Sequence, residues 1–230
     1  MTLHAASPDI ETVAYIPARL GSERVPKKNL RHLGGRPLVT HVAETALQSS
    51  GLDRVYLNTE SSEIAAAASP TGVDVYMRDP RLAAGPISTD EILYDFARAT
   101  PCRTIVVINP TAPFLTVATI DRVVTVSKDS SPDATVFTTT RLHKHLVVGG
   151  EPVNFSTTGR SPRTQDLKPF DYINFIIFTI DREKVLTQYE QRGFCLYVPP
   201  LVFVPMSGLE CHDIDEEDDF LVAEAMLRRS

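Results

Sequence analysis

Apolar runs and helically spaced apolar positions alternate along the first two thirds of this chain. Short apolar runs recur at 12–17, 54–58, 73–77, 103–109 and 134–140. Each is too short for a helix and reads as a strand. Between them the period lengthens. Leu38, Val42 and Ala46, beside Val39, Ala43 and Leu47, form two adjacent rows spaced by four. This predicts a helix to about Ser50, with Pro37 in its first turn and Gly51 as its C-terminal cap. Ser61 or Ser62 can cap a short helix over 63–68. Ser88 and Glu91 have capping-box spacing and open a helix to about Ala99. Thr116 or Thr119 starts the next, ending near Lys128. Strand and helix alternate through residue 140, which predicts an α/β fold with a mostly parallel sheet covered on both faces.

The rhythm breaks at 141–170, which contains His143, Lys144, His145, Gly149-Gly150 and a run from Arg160 to Asp166. About thirty residues without a helical pattern predict a hairpin arm or a long functional loop. A strongly apolar strand follows over 172–180, and Asp181 can cap a helix to about Gln191 that Gly193 closes. Residues 196–205 read as extended, and Pro199-Pro200 marks them as an edge. A last helix over 216–229 follows Asp213-Ile214-Asp215. Residues 1–11 read as a frayed tail without a signal peptide. The length fits one domain over 1–230, with 141–170 as its arm.

Charge singles out one loop. Pro17, Gly21 and Pro26 forbid regular structure after the first strand. Arg19, Arg24, Lys27, Lys28 and Arg31 crowd this stretch, although the chain carries a formal charge of −6. The plain reading is a solvated basic surface. A Gly-Ser loop leaving a buried strand with five cations is better suited to a polyanion, most simply a triphosphate. It is neither GxxxxGK[ST] nor GxGxxG. The acidic balance argues against a general nucleic-acid binder. No apolar run approaches the ~20 residues that span a bilayer. Cys102, Cys195 and Cys211 show no CxxC spacing, which fits a reducing cytoplasm without a disulfide framework or structural zinc. His143, His145 and Cys211-His212 do not make up a zinc set of recognisable spacing.

The segment Ala18-Arg-Leu-Gly-Ser-Glu-Arg-Val-Pro-Lys-Lys-Asn29 resembles the nucleotide-binding signature of the cytidylyltransferases that make CMP-sialic acid and related CMP-activated acid sugars. Further segments are similar in order: Asn58-Thr-Glu60 with Ile64-Ala65, Arg78 with Leu82-Ala83, Pro110-Thr-Ala-Pro-Phe-Leu-Thr116, Arg163-Thr-Gln-Asp-Leu167 and Asp213-Ile-Asp215. The resemblance implies a Rossmann-like three-layer sandwich of the nucleotide-diphospho-sugar transferase kind, and a homodimer with 141–170 as the dimerisation arm. It implies a CTP site built from Ala18, Arg19, Gly21, Ser22 and Lys28, with Asn29 and Arg78 near the nucleoside. Arg19 and Lys28 would be the catalytic cations that clamp the phosphates. Asp213 and Asp215 resemble a magnesium-binding pair. The chemistry agrees, because residues two apart on an extended segment face one side and magnesium takes one or two carboxylates beside phosphate oxygens and water. Glu216 to Asp219 read instead as charge at a helix N-terminus.

The implied reaction is transfer of CMP from CTP to an acidic acceptor, with release of pyrophosphate. The implied acceptor is a sialic-acid-like nonulosonic acid, met by Asn109, Arg160, Arg163, Gln165, Tyr172, Asn174 and Phe175. A bidentate guanidinium suits a carboxylate or a phosphonate. Three departures from the sialate pattern stand out. Asn109 replaces a Gln, Asn174-Phe175 replaces Asn-Gly, and Tyr172 replaces an acceptor-binding Arg. A Phe at that wall is expected to shrink the pocket, which opens a small phosphonate such as phosphonoformate as an alternative acceptor. A non-catalytic nucleotide-binding protein is the alternative of another class, although Lys28 and the Asp pair are all present.

Overall fold

The chain enters its main sheet at β1 (Thr12–Pro17), then crosses the cationic loop into a small hairpin, β2 (His32–Leu33) and β3 (Arg36–Pro37). The computed structural model describes residues 10–22, 24–84 and 86–228. Helix α1 (Leu38–Leu47) leads to β4 (Arg54–Thr59), and α2 (Ser62–Ala68) leads to β5 (Asp74–Met77). Helix α3 (Thr89–Ala99) precedes β6 (Thr104–Ile108), and α4 (Val117–Asp129) precedes β7 (Thr135–Leu142). A second small hairpin, β8 (Val147–Val148) and β9 (Glu151–Pro152), lies before the long β10 (Phe170–Asp181). The chain closes with α5 (Arg182–Arg192), β11 (Leu201–Met206) and α6 (Glu217–Leu227).

The main sheet runs β11-β7-β10-β6-β1-β4-β5. Its pairs are parallel except at β10, which runs antiparallel to both β6 and β7. One face packs on α1, α2 and α4 through Ile16, Val39, Val42, Ile64, Ile120 and Val123. The other packs on α3 and α5 through Tyr15, Leu93, Phe96, Phe178 and Val185. The strand alternation explains the split: Ile16 and Tyr15 are neighbours on β1 and face opposite layers. The expected α/β sandwich is therefore present. A third, smaller cluster of Leu33, Leu38, Ile214, Phe220 and Ala223 ties α6 to the first hairpin.

Helix starts follow the expected caps. The side chains of Ser61, Ser88, Thr116 and Asp181 each accept a backbone N–H of the helix that follows. Gly193, at φ 76°, closes α5. Five expectations need correction. Helix α1 ends at Leu47 rather than near Ser50, and Pro37 sits outside it because it pairs with His32 in the hairpin. Gly51 is not its cap. Its N–H donates to Asp121 at 3.2 Å, and a Cβ there would lie 3.2 Å from Val124 Cγ1, so its smallness serves the approach to α4. The extended segment near 196–205 narrows to β11, which is an edge strand as expected. The last helix spans Glu217–Leu227. Most of the expected N-terminal tail, residues 1–9, lies outside the described residues, as does the expected helix end at Arg229.

The excursion expected at 141–170 is present. The chain leaves the sheet at Leu142 and returns at Phe170, and these two residues pair across β7 and β10. Between them lie the second hairpin and one 3-10 turn, Thr164–Asp166. Among the described residues no helix is long and apolar enough to cross a membrane, and the three cysteines are unpaired.

Candidate functional site

The sheet order places the site. From β1 the chain steps outward to β4 and β5, then returns to lay β6 on the other side of β1. The loops after β1 and β6 therefore diverge, which opens a crevice beyond the carboxyl ends of the two strands. A cleft of about 350 Å³ lies there, walled by Pro17, Arg19, Ser22, Arg24, Val25, Lys28 and Asn29 from the first loop. Asn109, Pro110 and Thr111 come from the β6 loop, and Asp215 comes from the segment before α6.

The cations of the first loop divide into two groups. Lys27 has a left-handed backbone, φ 52°, and turns its ammonium to Glu63 at 3.0 Å. Arg31 pairs with Glu217 and stacks over the Phe220 ring, 3.8 Å from its centroid. These two tie the loop to α2 and α6. Arg19, Arg24 and Lys28 are left for the cleft. Arg19 is exposed and has no ion-pair partner among the described residues. Arg24 donates to Asp215 at 2.9 Å and to Glu216 at 3.1 Å. Lys28 donates to the Ile214 carbonyl and lies 3.3 Å from Asp215.

Burial of Ile214 orients the two aspartates. Its side chain is fully buried beside Leu33, Leu38 and Phe220, and its N–H donates to the Thr111 carbonyl at 2.9 Å. Its two neighbours cannot enter that apolar cluster. Asp213 bonds the Thr111 hydroxyl, which also lies 2.8 Å from Asn109 Oδ1. Burial, with the charge of Asp215 adding to it, raises the Asp213 carboxyl above the usual carboxylate range despite the Thr111 hydrogen bond. Asp219 Oδ2 accepts from the N–H groups of Asp215 and Glu216, part of a capping box that starts α6. The acidic run 216–219 thus acts as helix N-terminal charge, as expected.

These residues fit a hard divalent cation. Asp213 supplies a poorly solvated carboxylate and Asp215 a half-exposed one. No group of three or more His, Cys, Asp or Glu residues is placed to hold a metal among the described residues. A cation here would complete its shell with ligand oxygens and water.

The remaining expected site residues lie elsewhere. Ala18 is buried in the sheet-side core, and Gly21 is exposed in the loop. Arg78 does not line the cleft. It is 4 % exposed, and it donates to Asn58 at 2.9 Å and to Glu60 at 2.6 Å. Arg160, Arg163 and Gln165 are exposed on the excursion, where Arg163 pairs with Asp166. Tyr172 is exposed on β10 opposite Thr140. Asn174 is tied to Thr138, at 2.6 Å, and Thr140, at 3.1 Å, within an irregularity of β10. The Phe175 ring does not narrow the cleft; it packs on Phe137 at 5.8 Å, Phe178 at 6.2 Å and Tyr197 at 6.3 Å. Arg24, Thr111 and Glu60 carry the structure of the site without having been singled out for it. Arg24 stood in the cationic motif, but nothing in the sequence told which of its five cations turn outward.

A family model described as cytidylyltransferase matches residues 13–159, more than half of the chain. The chain belongs to that family. It is 25 % identical over 227 residues to the N-acylneuraminate cytidylyltransferase of Streptococcus agalactiae, covering 92 % of this chain and 52 % of that protein. It is 38 % identical over 120 residues to the 3-deoxy-manno-octulosonate cytidylyltransferase of Bdellovibrio bacteriovorus, covering 52 % of this chain and 47 % of that protein. The chain spans about half the length of the curated relatives it matches. Among solved structures it is similar to a CMP:2-keto-3-deoxy-manno-octonic acid synthetase complexed with CTP. The TM-score is 0.73 at 17 % identity, over 95 % of this chain and 99 % of that one. At that identity the likeness shows the fold alone, which agrees with the Rossmann-like sandwich of this cytidylyltransferase-family chain.

Proposed function

We propose that the chain transfers a cytidylyl group from CTP to an acidic sugar acceptor, with release of pyrophosphate. The observation that carries this reading is the convergence of Arg19, Arg24, Lys28 and Asp215 in one cleft at the switch point between β1 and β6. A triphosphate suits that cleft electrostatically. Two unit charges 4 Å apart interact by about 4 kcal/mol at an effective dielectric of 20. A ligand with several phosphate charges therefore competes with the Asp215 carboxylate for Arg24 and Lys28, and with Glu216 for Arg24. Ser22 adds a hydroxyl to that wall. Asn29 adds a buried amide oxygen, Oδ1, that has no hydrogen-bond partner among the described residues. It is free to accept from the nucleoside.

In the proposed reaction an acceptor oxygen forms a bond to the α-phosphorus. The bond from that phosphorus to the bridging oxygen breaks, and pyrophosphate leaves with the electron pair. A hydroxyl acceptor releases one proton, whereas an anionic oxygen releases none. Arg19 and Lys28 orient the phosphates and stabilise charge as it moves toward pyrophosphate. Asp213 and Asp215 would hold magnesium, which when bound neutralises phosphate charge. The similarity to N-acylneuraminate and 3-deoxy-manno-octulosonate cytidylyltransferases supports a keto-sugar acid of eight or nine carbons as acceptor, with the sialic-acid-like one first. Tyr172, standing where the sialate pattern has an acceptor-binding Arg, leaves a small phosphonate such as phosphonoformate as the second reading. We further propose a homodimer in which residues 141–170 are the exchanged arm and carry Arg160 and Arg163 toward the partner's acceptor.

The test is pyrophosphate release with CTP and magnesium, run against sialic acid, an eight-carbon keto-sugar acid and phosphonoformate. Release with one sugar acid is the expected result. No release with any acceptor would remove the central claim, and release with phosphonoformate alone would move the acceptor to the second reading.

A further inference from the structure

Besides the local bond from the Ser22 N–H to the Leu20 carbonyl, three hydrogen bonds hold residues 18–20, where β1 turns into the cationic loop. The Ala18 N–H donates to the Asn58 carbonyl at 2.9 Å. The Asn29 amide donates to the Arg19 carbonyl at 3.0 Å. The Leu20 N–H donates to Glu60 Oε1 at 2.8 Å. Arg19 sits between the first and the third of these, with its side chain in the cleft. The first two bonds join neutral groups. The third engages a carboxylate whose other oxygen, Oε2, accepts from Arg78 Nη2 at 2.6 Å.

Arg78 makes that carboxylate immobile. Its side chain is 2 % exposed, and Glu60 is its ion-pair partner among the described residues. A buried charge cannot let its counter-charge go without a large penalty. Asn58, whose carbonyl holds Ala18, also accepts from Arg78 Nη1 at 2.9 Å. Glu60 follows the end of β4, and Arg78 follows the end of β5. The support therefore stands on two adjacent strands of the sheet.

We infer that Glu60 is a positioning residue for the nucleotide loop. Locked by Arg78, it fixes the Leu20 backbone and thereby the direction of the Arg19 side chain. The identity of the ligand rests on the CTP reading; the relay itself does not. The chemistry requires a carboxylate at position 60. Leu20 and Arg78 are both donors, and a carboxylate accepts on both oxygens, whereas an amide offers one acceptor and one donor. A glutamine side chain at this position sets its NH₂ against one of the two.

The test uses Glu60→Gln and the double variant Glu60→Gln/Arg78→Met. It reads amide hydrogen exchange at Leu20 and the dissociation constants of CTP and of cytidine. In Glu60→Gln the Leu20 amide should exchange faster and CTP should weaken about tenfold, the scale of a lost hydrogen bond to a charged group. Cytidine, which has no phosphate for Arg19 to meet, should bind unchanged. In the double variant the competing donor is gone, so the oxygen of the introduced amide serves Leu20. Leu20 protection and the ratio of CTP to cytidine affinity should then return toward wild type. The inference is overturned if Leu20 exchange does not change in Glu60→Gln, or if CTP and cytidine weaken by the same factor. It is also overturned if the double variant is no better than the single one. Should Glu60→Gln fail to fold, the double variant strands no buried charge, and an unprotected Leu20 in it overturns the relay. If the wild-type protein binds no CTP, the ligand reading fails while Leu20 exchange still decides the relay.

Discussion

Phe175 is held at φ 55°, a left-handed backbone that costs a residue with a Cβ about 1–2 kcal/mol. Its ring contacts with Phe137, Phe178 and Tyr197 offset that cost. The two effects can be separated by truncation. Ala removes the ring and keeps the strain, whereas Gly removes both. Phe175→Gly should therefore be more stable than Phe175→Ala by about 1 kcal/mol in urea unfolding, the reverse of the usual order of these residues. An Ala variant equal to or better than the Gly variant would show that the backbone is unstrained. The left-handed backbone at this position is one that glycine adopts without strain, and the Phe175 ring packs within its aromatic group rather than against the cleft of Arg19 and Lys28. Lys28 presents the opposite case, a side chain whose packing is secondary to its charge. With 13 % of its side chain exposed, it reaches Asp215 and the Ile214 carbonyl. Lys28→Ala should lower turnover by about 10²–10³-fold, as for loss of one preorganised donor, while thermal melting stays cooperative. Wild-type turnover would remove Lys28 from the proposed machinery.

Helix α1 is joined to the first hairpin by His41. Its Nε2 meets the Leu33 carbonyl at 2.9 Å, and its Nδ1 faces Arg36 at 3.4 Å. Donation at Nε2 and acceptance at Nδ1 describe a neutral ring. Burial lowers its pKa below the ordinary 6.5, despite the Leu33 bond. The unfolded chain then takes up a proton that the folded chain refuses, so stability falls as the pH drops below about 6.5. The slope is at most about 1.4 kcal/mol per pH unit. Unfolding of wild type and His41→Gln across pH 7 to 5 should differ by that sloping component; parallel curves would mean that the ring titrates normally. The hairpin itself was not legible in the sequence. Two-residue strands have no period for a pattern to show. Tertiary contacts also moved the end of α1, because Gly51 answers to Val124 on α4 rather than to its own helix. The longer elements were legible because each carries a cap or a buried face that acts locally. Ser61, Ser88, Thr116 and Asp181 all cap the helices assigned to them.

The whole molecule divides the site into a part near in sequence and a part that only the sheet brings together. Arg19, Ser22, Lys28 and Asn29 share one motif and one loop, so their gathering in one cleft could be read from the chain. Asp215 could be reached through its resemblance. Glu60 and Arg78 act from under the loop, and their pairing depends on β4 and β5 lying side by side, which no local pattern specifies. The excursion at 141–170 poses the same question for the acceptor. It departs between two paired strands, and Arg141 and Asp171 close its base with bonds of 2.9 and 2.8 Å. Its exposed Val147, Val148 and Val153 add nothing to the sheet core. It should therefore be removable. Joining Leu142 to Phe170 through an Asn-Gly turn restores a hairpin of ordinary twist. Loss of the buried Leu167 and of smaller contacts should lower the melting temperature by only a few degrees, at about 2–4 °C per kcal/mol for a domain of this size. CTP binding should persist, because the cleft of Arg19, Lys28 and Asp215 receives no residue from this segment. Self-association and turnover of a sugar acid should be lost together, measured by sedimentation velocity and pyrophosphate release. A shortened chain that still dimerises would take the interface away from the excursion. Undiminished turnover would take Arg160, Arg163 and Gln165 out of acceptor recognition.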